Sequence, residues 1–241
     1  MSLKLPFRFA IASDGHYGEP GVESDKNYIN LINWLKEEKE KNGLDLWFFN
    51  GDLVHDAAAF LPMIKSYFDM VQVPYFAIKG NHDTINNTLW KKIFGHEANF
   101  EFVLHDMAFI AAITSDDDGN YLCADTFWLE EKIKGNLNCR YIFIFLHLSQ
   151  GGLTRHGIYC PEVIELFDKY PQITAVFHGH DHQDDHLRKS KNTHFFFDGY
   201  IGGSWGPNYF GYRIVERKDN PKIRTYQFNP IENRIINENY I

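Results

Sequence analysis

Five short blocks of aspartate, asparagine and histidine residues recur along this sequence, and these are side chains that bind metal ions and move protons. The blocks are Asp14-Gly15-His16, Gly51-Asp52, Gly80-Asn81-His82-Asp83, His147 and Gly179-His180-Asp181-His182. Their oxygen and imidazole donors, with no thiolate among them, suit Mn²⁺, Fe or Zn²⁺ better than Ca²⁺, which takes oxygen ligands alone. The blocks therefore predict a metal site.

Each block taken alone has an ordinary explanation. A single Asp-x-His is usually a turn with a surface histidine, a Gly-Asp pair is usually a turn, and His147 alone fits an interior histidine. The blocks at Asn81 and His180 are more specific, because each holds two side chains that bind metal or move protons. The joint occurrence of all five, each after a predicted strand, favours a common metal site.

Short apolar runs alternate with helical patterns, and these elements must position the blocks. We predict strands at residues 7–13, 46–50, 75–78, 100–104, 108–113, 141–146, 173–177, 194–198, 212–216 and 223–228. Helices are predicted around residues 28–35, over 57–69, over 127–134 behind a cap at Asp125, and from Pro161 onward. A β-α-β series followed by a β meander predicts an α/β fold with mixed sheets and outer helices.

The blocks follow the ends of predicted strands, where open α/β sheets bind their ligands. In this order they resemble the motifs of the calcineurin-like metallophosphoesterase superfamily, over residues 14 to 182. The resemblance implies an α/β/β/α sandwich of two mixed sheets flanked by helices, in one domain over residues 1–241. It also implies a dinuclear metal centre.

The resemblance further implies a role for each residue of the blocks. One ion would be held by Asp14, His16, Asp52 and His182, and the other by Asp52, Asn81, His147 and His180. Asp52 would bridge the two ions. His82 would act on the substrate without binding metal, and Asp83 would orient the His82 ring.

The implied activity is hydrolysis of a phosphoester. Two cations about 3.5–4 Å apart activate a bridging hydroxide for in-line attack and neutralise the phosphoryl oxygens. His82 would protonate the leaving alkoxide or stabilise charge on the phosphoryl group, a role typically contributing about 10²–10⁴-fold. The expected substrate is a small phosphodiester or phosphomonoester, such as a nucleotide or a glycerophosphodiester. A nuclease and a protein phosphatase are alternatives, whereas a non-catalytic scaffold is disfavoured because no ligand of the series is missing.

Composition limits the partners and the location. The chain has 241 residues and a formal net charge of -8, which argues against a nucleic-acid partner held by a broad basic surface. No apolar run approaches the roughly 20 residues of a membrane-spanning helix, and the N-terminus lacks a signal-peptide pattern. Cys123, Cys139 and Cys160 are odd in number and have no Cys-x-x-Cys spacing, so free thiols in a reducing cytoplasm are predicted. The oligomeric state is left open.

Three further features have two interpretations each. His55, three residues past Asp52, is placed to reach the substrate or is a polar loop residue. Trp205, Tyr209 and Phe210 flank the organic part of a substrate, or belong to a loop anchored by core aromatics. The acidic run at residues 116–119 resembles part of a calcium loop but lacks the remaining ligands, so a solvated turn is predicted.

Overall fold

The structure, a computed structural model, describes residues 5–198, 200–204, 206, 209–218 and 222–241. The strands are β1 (Phe7–Ala12), β2 (Leu46–Asn50), β3 (Tyr75–Ile78), β4 (Phe100–Leu104), β5 (Met107–Ala111), β6 (Tyr141–Phe145), β7 (Ile173–His178), β8 (Leu187–Lys189), β9 (His194–Phe197), β10 (Tyr212–Arg217), β11 (Ile223–Asn229) and β12 (Arg234–Tyr240). The helices are α1 (Ser24–Asn42), α2 (Leu61–Asp69), α3 (Asn87–Phe94), α4 (Thr126–Gly135) and α5 (Pro161–Lys169).

In the described ranges these strands form two mixed sheets of six strands each. The first sheet has the order β12-β11-β10-β1-β2-β3, in which β1, β2 and β3 are parallel and β10 to β12 form an antiparallel meander. The second has the order β4-β5-β6-β7-β9-β8, with parallel strands from β5 to β9 and an antiparallel strand at each edge. The carboxyl ends of the parallel strands therefore share one edge within each sheet.

An aromatic layer fills the space between the two sheets. Phe48 of β2 stacks on Phe145 of β6 with ring centroids 4.2 Å apart, and Phe9 of β1 meets Phe143 edge-on at 5.2 Å. Successive strand residues point to opposite faces, so Trp47 and Phe49 pack on the other side, in a second core. Because such aromatic contacts add to area burial, this layer joins the sheets firmly.

Helices cover both outer faces, which confirms the predicted α/β/β/α sandwich. Apolar residues of α1, α2 and α3 form one core with the outer face of the first sheet. Apolar residues of α4 and α5 form another with the outer face of the second sheet. Asp125 caps α4 as predicted, accepting hydrogen bonds from the amides of Phe127 and Trp128. Within the described residues, no helix has the length and apolar character needed to cross a membrane.

Three elements were not predicted. Helix α3 is short, although Asn86 caps it by accepting from the amide of Leu89 and Gly95 ends it in the left-handed region. Strands β8 and β12 lie at sheet edges and expose most of their residues. They lack the apolar run that identifies a buried strand, so the sequence pattern gave no signal for them.

The prediction of free thiols at Cys123 and Cys160 is wrong. These residues form a disulfide bond across 37 positions of sequence, with Cα atoms 5.7 Å apart, and Cys139 is the free cysteine. The bond joins the segment before α4 to the start of α5, and only the packing of these segments brings the two sulfurs together. The expectation of a cytoplasmic location rested on free thiols and loses that support.

Candidate metal centre

Strand ends from both sheets carry the predicted ligands, and six of these residues (Asp14, His16, Asp52, His147, His180 and His182) form two close groups. Asp14 and His16 follow β1, Asp52 follows β2 and Asn81 follows β3, all in the first sheet. His147 follows β6, and His180 and His182 follow β7, in the second sheet. All are buried apart from His180, which is partly exposed. Each sheet therefore contributes part of the site.

Asp14, His16 and His182 form the first group of candidate ligands. Each offers one ligand atom within 4.8 Å of those of the others. The Nε2 atoms of His16 and His182 are 3.0 Å apart, and Asp14 Oδ1 lies 3.2 Å from His182 Nε2. Two imidazole nitrogens and a carboxylate oxygen that face one point suit a divalent cation.

Asp52, His147 and His180 form the second group, again with ligand atoms within 4.8 Å of one another. Asp52 Oδ2 is 3.1 Å from His147 Nε2 of this group and 3.7 Å from His16 Nε2 of the first group. The Asp52 carboxylate thus lies between the two groups, where a carboxylate that bridges two ions would have to be.

Several polar atoms of the site have no hydrogen-bond partner in the part of the chain that the structure describes. They are Asp52 Oδ2, Asn81 Oδ1 and His147 Nε2, all buried. The close approach of His147 to Asp52 lacks hydrogen-bond geometry, as expected of two ligands that face one ion. Because an unpaired buried polar atom costs about 1–3 kcal/mol, a bound cation is a natural partner for these atoms, and the donor set fits one.

The backbone at the site adopts conformations that residues other than glycine rarely take. Asp14, His16, Asp52 and His180 have φ values of 56°, 42°, 53° and 63°. Such backbone costs of order 1–3 kcal/mol per residue and persists where the surrounding structure enforces it. The ligand-bearing turns are therefore specialised for the site.

The glycine before Asp52 is required by a close approach. Gly51 has φ 91°, and a Cβ atom there would collide with the His147 ring. At the neighbouring strand end, a Cβ on Gly80 would collide with the backbone of Asp52. These glycines let β2, β3 and β6 bring their ligands within reach of one another.

Hydrogen bonds orient the candidate ligands. His147 Nδ1 donates to the carbonyl of Asn50 at 2.7 Å, so Nε2 is the nitrogen that would bind a metal ion, in exchange for its proton. The Asp14 carboxylate accepts from the His180 amide at 3.0 Å, and Asp52 Oδ1 accepts from the His82 amide at 2.8 Å. These bonds fix the ligand atoms before any ion arrives.

Electrostatics keep the carboxylates ionised. Burial alone raises the pKa of Asp14, but the His182 and His147 imidazoles outweigh it, and the net pKa is lowered. Burial likewise raises the pKa of Asp52, and the His147 imidazole opposes it most strongly, so the pKa of Asp52 lies well below its usual range. Burial lowers the pKa of His147, and the Asp52 carboxylate reverses this and raises it to about 10. Both carboxylates are therefore charged at neutral pH.

The prediction that Asp83 orients His82 is wrong. Asp83 is buried, and its carboxylate accepts from the backbone amides of Val54 and Gly80 at 3.1 and 2.9 Å. The carboxylate that meets the His82 ring belongs to Asp56, 3.0 Å from Nδ1. The physical reason is the path of the backbone. The chain turns after His82, so the Asp83 side chain points inward to the loop amides rather than toward the imidazole.

An open cleft of 620 Å³ lies over both groups of ligands. Its walls include Asp52, His82 and His180, and also Tyr121, Thr154, Arg155, His156, Gln183 and Arg188. Sequence reasoning missed this second set because its members carry no motif. The acidic run beside Tyr121 is a turn, as predicted, in which Asp116 accepts from the amides of Asp118 and Asn120.

The remaining predicted residues fall in different places. The His55 ring stacks on His82 with centroids 4.7 Å apart, and its Nδ1 is 3.2 Å from that of His16. Tyr209 donates to Asp185 at 2.6 Å and Phe210 packs on Tyr200, as in a loop anchored by aromatics. Trp205 lies outside the described residues.

Comparison with known proteins identifies the family of this chain. The sequence profile of the family described as "Calcineurin-like phosphoesterase" matches residues 7–184. The chain is 23% identical to a "3′,5′-cyclic-nucleotide phosphodiesterase" of Nostoc sp., covering 81% of this chain and 78% of that protein. It is 26% identical to a "Probable cyclic nucleotide phosphodiesterase" of Ruthia magnifica, covering 68% and 71%.

Solved structures share the fold. A dimetal phosphatase from Danio rerio superposes with a TM-score of 0.78 at 11% identity, covering 98% of both chains. A purple acid phosphatase from yellow lupin (Lupinus luteus) gives a TM-score of 0.71 at 13% identity, covering 99% of this chain and 54% of that one. At these identities the likeness establishes the architecture alone.

Proposed function

The chain belongs to the calcineurin-like phosphoesterase family, and from that premise we propose that it is a two-metal hydrolase of small phosphodiesters, with cyclic nucleotides as the first candidates. Membership makes it a phosphoester hydrolase. The number of ions, the residue roles and the substrate are our proposal.

One observation carries the two-metal assignment: two groups of ligand atoms face one cleft, with the Asp52 carboxylate between them. Asp14, His16 and His182 would hold one ion together with Asp52. His147, His180 and Asn81 would hold the other, again with Asp52. Bound there, two cations of Mn, Fe or Zn would neutralise the phosphoryl oxygens and supply a hydroxide nucleophile near neutral pH.

His82 is the candidate proton donor to the leaving group. It lies on the cleft wall, is partly exposed, and its ring is edge-on to that of His16 with centroids 5.0 Å apart. Asp56 occupies Nδ1, so Nε2 is the nitrogen that remains for the leaving oxygen. Asp56 is therefore proposed to orient the imidazole, and Asp83 to hold the loops beneath it.

The size and lining of the cleft support a small anionic substrate. A volume of 620 Å³ lies in the range of small-molecule sites, about 300–1,000 Å³. Arg155 lines the cleft and favours a phosphate ester, even though the chain as a whole is acidic, whereas Arg188 pairs with Asp184 at 2.8 Å. The curated relatives named as cyclic-nucleotide phosphodiesterases point to the nucleotide class among such esters.

We also propose that residues 1–241 act as a single domain. The candidate ligands come from both sheets, and the aromatic layer joins these sheets along their length. A fragment holding one sheet would keep half of the ligands and would lose the buried face that the other sheet covers.

The proposal is tested with metal-free protein reconstituted separately with Mn²⁺, Fe²⁺ and Zn²⁺. Each form is assayed on a cyclic nucleotide, a glycerophosphodiester, a nucleoside monophosphate, bis- and mono-nitrophenyl phosphate, and single-stranded DNA. We expect turnover of the diesters, with about two ions bound per chain. Faster hydrolysis of the monoesters, or of DNA with a steep salt dependence, would replace the proposed substrate with a phosphatase or nuclease role.

A further inference from the structure

We infer that Tyr121 is a positioning residue for His180, and this inference rests on the proposed function because it treats His180 as a metal ligand. The Tyr121 hydroxyl lies 3.1 Å from His180 Nε2, and the carbonyl of His156 lies 3.2 Å from the same nitrogen. The two rings meet edge-on, with centroids 5.3 Å apart and an interplanar angle of 89°. One nitrogen of His180 is thus engaged on the cleft side by two oxygens.

The His156 carbonyl decides which nitrogen can bind metal. A carbonyl only accepts, so Nε2 of His180 must carry the hydrogen and donate it. A neutral imidazole has one N–H, so Nδ1 then holds the lone pair that a cation needs. The Tyr121 oxygen shares the Nε2 hydrogen with the carbonyl, and together they select this tautomer and the rotation of the ring.

His180 needs such support more than the other imidazole ligands do. His147 is fully buried and its Nδ1 is fixed by the Asn50 carbonyl inside the core, whereas His180 is partly exposed at the cleft wall. Packing alone leaves more freedom to a partly exposed ring. Partners of this kind orient metal ligands, and their loss typically costs about 10–100-fold in metal affinity or activity.

The segment that carries Tyr121 is built to hold it in place. Ser115 and Tyr121 form an antiparallel bridge, and the Leu122 amide donates to the Thr114 carbonyl at 2.8 Å. Two residues after Tyr121, the disulfide from Cys123 ties the segment to the start of α5. The backbone that carries the Tyr121 hydroxyl is therefore held on both sides.

The segment that carries His156 is fixed in the same region. Thr154 donates to the Asp181 carboxylate at 2.7 Å, and the Ile158 amide donates to the Ser149 carbonyl at 2.9 Å. Asp181 stands between the ligands His180 and His182 in sequence, so the ligand turn itself anchors this segment. The segment continues to Cys160, which means that the disulfide joins both supports of His180.

The test is Tyr121→Phe, which removes the hydroxyl and keeps the ring. Its matched control is Tyr159→Phe, the same change at a tyrosine that is 77% exposed in the neighbouring segment. Mn²⁺ is titrated calorimetrically into metal-free protein, and kcat and KM are measured on bis-nitrophenyl phosphate at limiting and saturating Mn²⁺. We expect one of two Mn²⁺ affinities to weaken about tenfold in Tyr121→Phe. Activity should recover at saturating Mn²⁺ with KM unchanged, and Tyr159→Phe should match the wild type.

Two results would overturn the inference. Unchanged Mn²⁺ affinities in Tyr121→Phe would show that the hydroxyl does not position His180. A raised KM with normal Mn²⁺ binding would make Tyr121 a substrate contact instead. A wild-type protein that binds fewer than two ions would contradict the proposed function itself, and this outcome is read from the wild-type titration alone.

Discussion

At the scale of single residues, Asp52 is the side chain that both groups of candidate ligands share. Its Oδ1 is occupied by the His82 amide, while Oδ2 has no hydrogen-bond partner in the described ranges and faces His147. A residue so placed is coupled to both metal positions and to the backbone of the proposed proton donor. Replacing Asp52 should therefore disturb the site more than removing a ligand that serves only one ion.

Asp52→Asn should remove most activity, by more than the roughly 10–100-fold typical of a lost outer partner, because a neutral amide weakens both ion positions together. Metal content per chain, measured by elemental analysis, should fall to one or fewer. His16→Ala, which removes one terminal ligand, serves as the comparison and should keep more metal. Two retained ions and near-normal turnover in Asp52→Asn would show that Asp52 is not the bridge.

The two carboxylates near His82 should have separable effects. His82→Ala should slow turnover by about 10²–10⁴-fold on alkyl esters and less on nitrophenyl esters, whose leaving group needs no proton.

Asp56→Asn should show a weaker form of the same leaving-group dependence, because the Asp56 carboxylate faces the His82 ring. Asp83→Asn should instead cost about 1–3 kcal/mol of unfolding free energy, because an amide NH₂ replaces one carboxyl oxygen and leaves one buried backbone N–H facing a donor.

Kinetics on both ester types and urea denaturation of each variant distinguish these effects. The Asp56 assignment fails if Asp56→Asn slows both ester classes equally, and the Asp83 assignment fails if Asp83→Asn unfolds at wild-type urea concentration. Metal content should stay near the wild-type value in His82→Ala and Asp56→Asn, since the proposal assigns neither residue as a metal ligand.

At the scale of elements, the loops after the strands carry the candidate ligands. The disulfide restrains two of the segments that line the site. The bond closes a loop of 37 residues between Cys123 and Cys160 and includes α4 and β6. Restraint of this kind lowers the entropy of the unfolded chain. It also keeps the segments beside His180 together in the folded state.

The double variant Cys123→Ser, Cys160→Ser should lose about 3–4 kcal/mol of stability, the amount expected for a closed loop of this length. For a chain of this size, the thermal midpoint should fall by roughly 6–16 °C. Calorimetry measures the midpoint, and Cys139→Ser, at the free cysteine, should leave it unchanged. Three titratable thiols in denatured, unreduced protein would contradict the bond.

At the scale of the whole molecule, the site depends on how the two sheets are held together. One sheet carries Asp14, His16, Asp52 and Asn81, and the other carries His147, His180 and His182. The aromatic layer packs between the two sheets and so helps to set the distance between these two sets. Packing far from the cleft should therefore influence metal binding.

Phe48→Leu should weaken Mn²⁺ binding although Phe48 contacts no ligand, because its ring stacks on Phe145, two residues before His147. The matched variant is Phe68→Leu, at a buried position in the core outside the first sheet. Both should cost about 1–2 kcal/mol in urea denaturation, a typical value for a core change. Equal Mn²⁺ affinities in the two variants would contradict a special role for the layer between the sheets.

The sequence by itself was enough to predict the family, the fold class and the candidate ligands of this protein. Each ligand block follows the end of an apolar run, so local pattern was enough to predict the strands, their carboxyl-end loops and a metal site between them. The cap at Asp125 and the acidic turn at Asp116 were predictable for the same reason. All of these depend on residues within a few positions of one another.

Only the tertiary structure decided the features that depend on direction and on distant contacts. Whether Asp56 or Asp83 meets His82 is set by the path of the chain after β2 and β3, which short motifs do not specify. The disulfide and the contact between Tyr121 and His180 join segments 37 and 59 positions apart. Such pairs have no periodic signature, because they form where two loops happen to pack rather than where one element repeats.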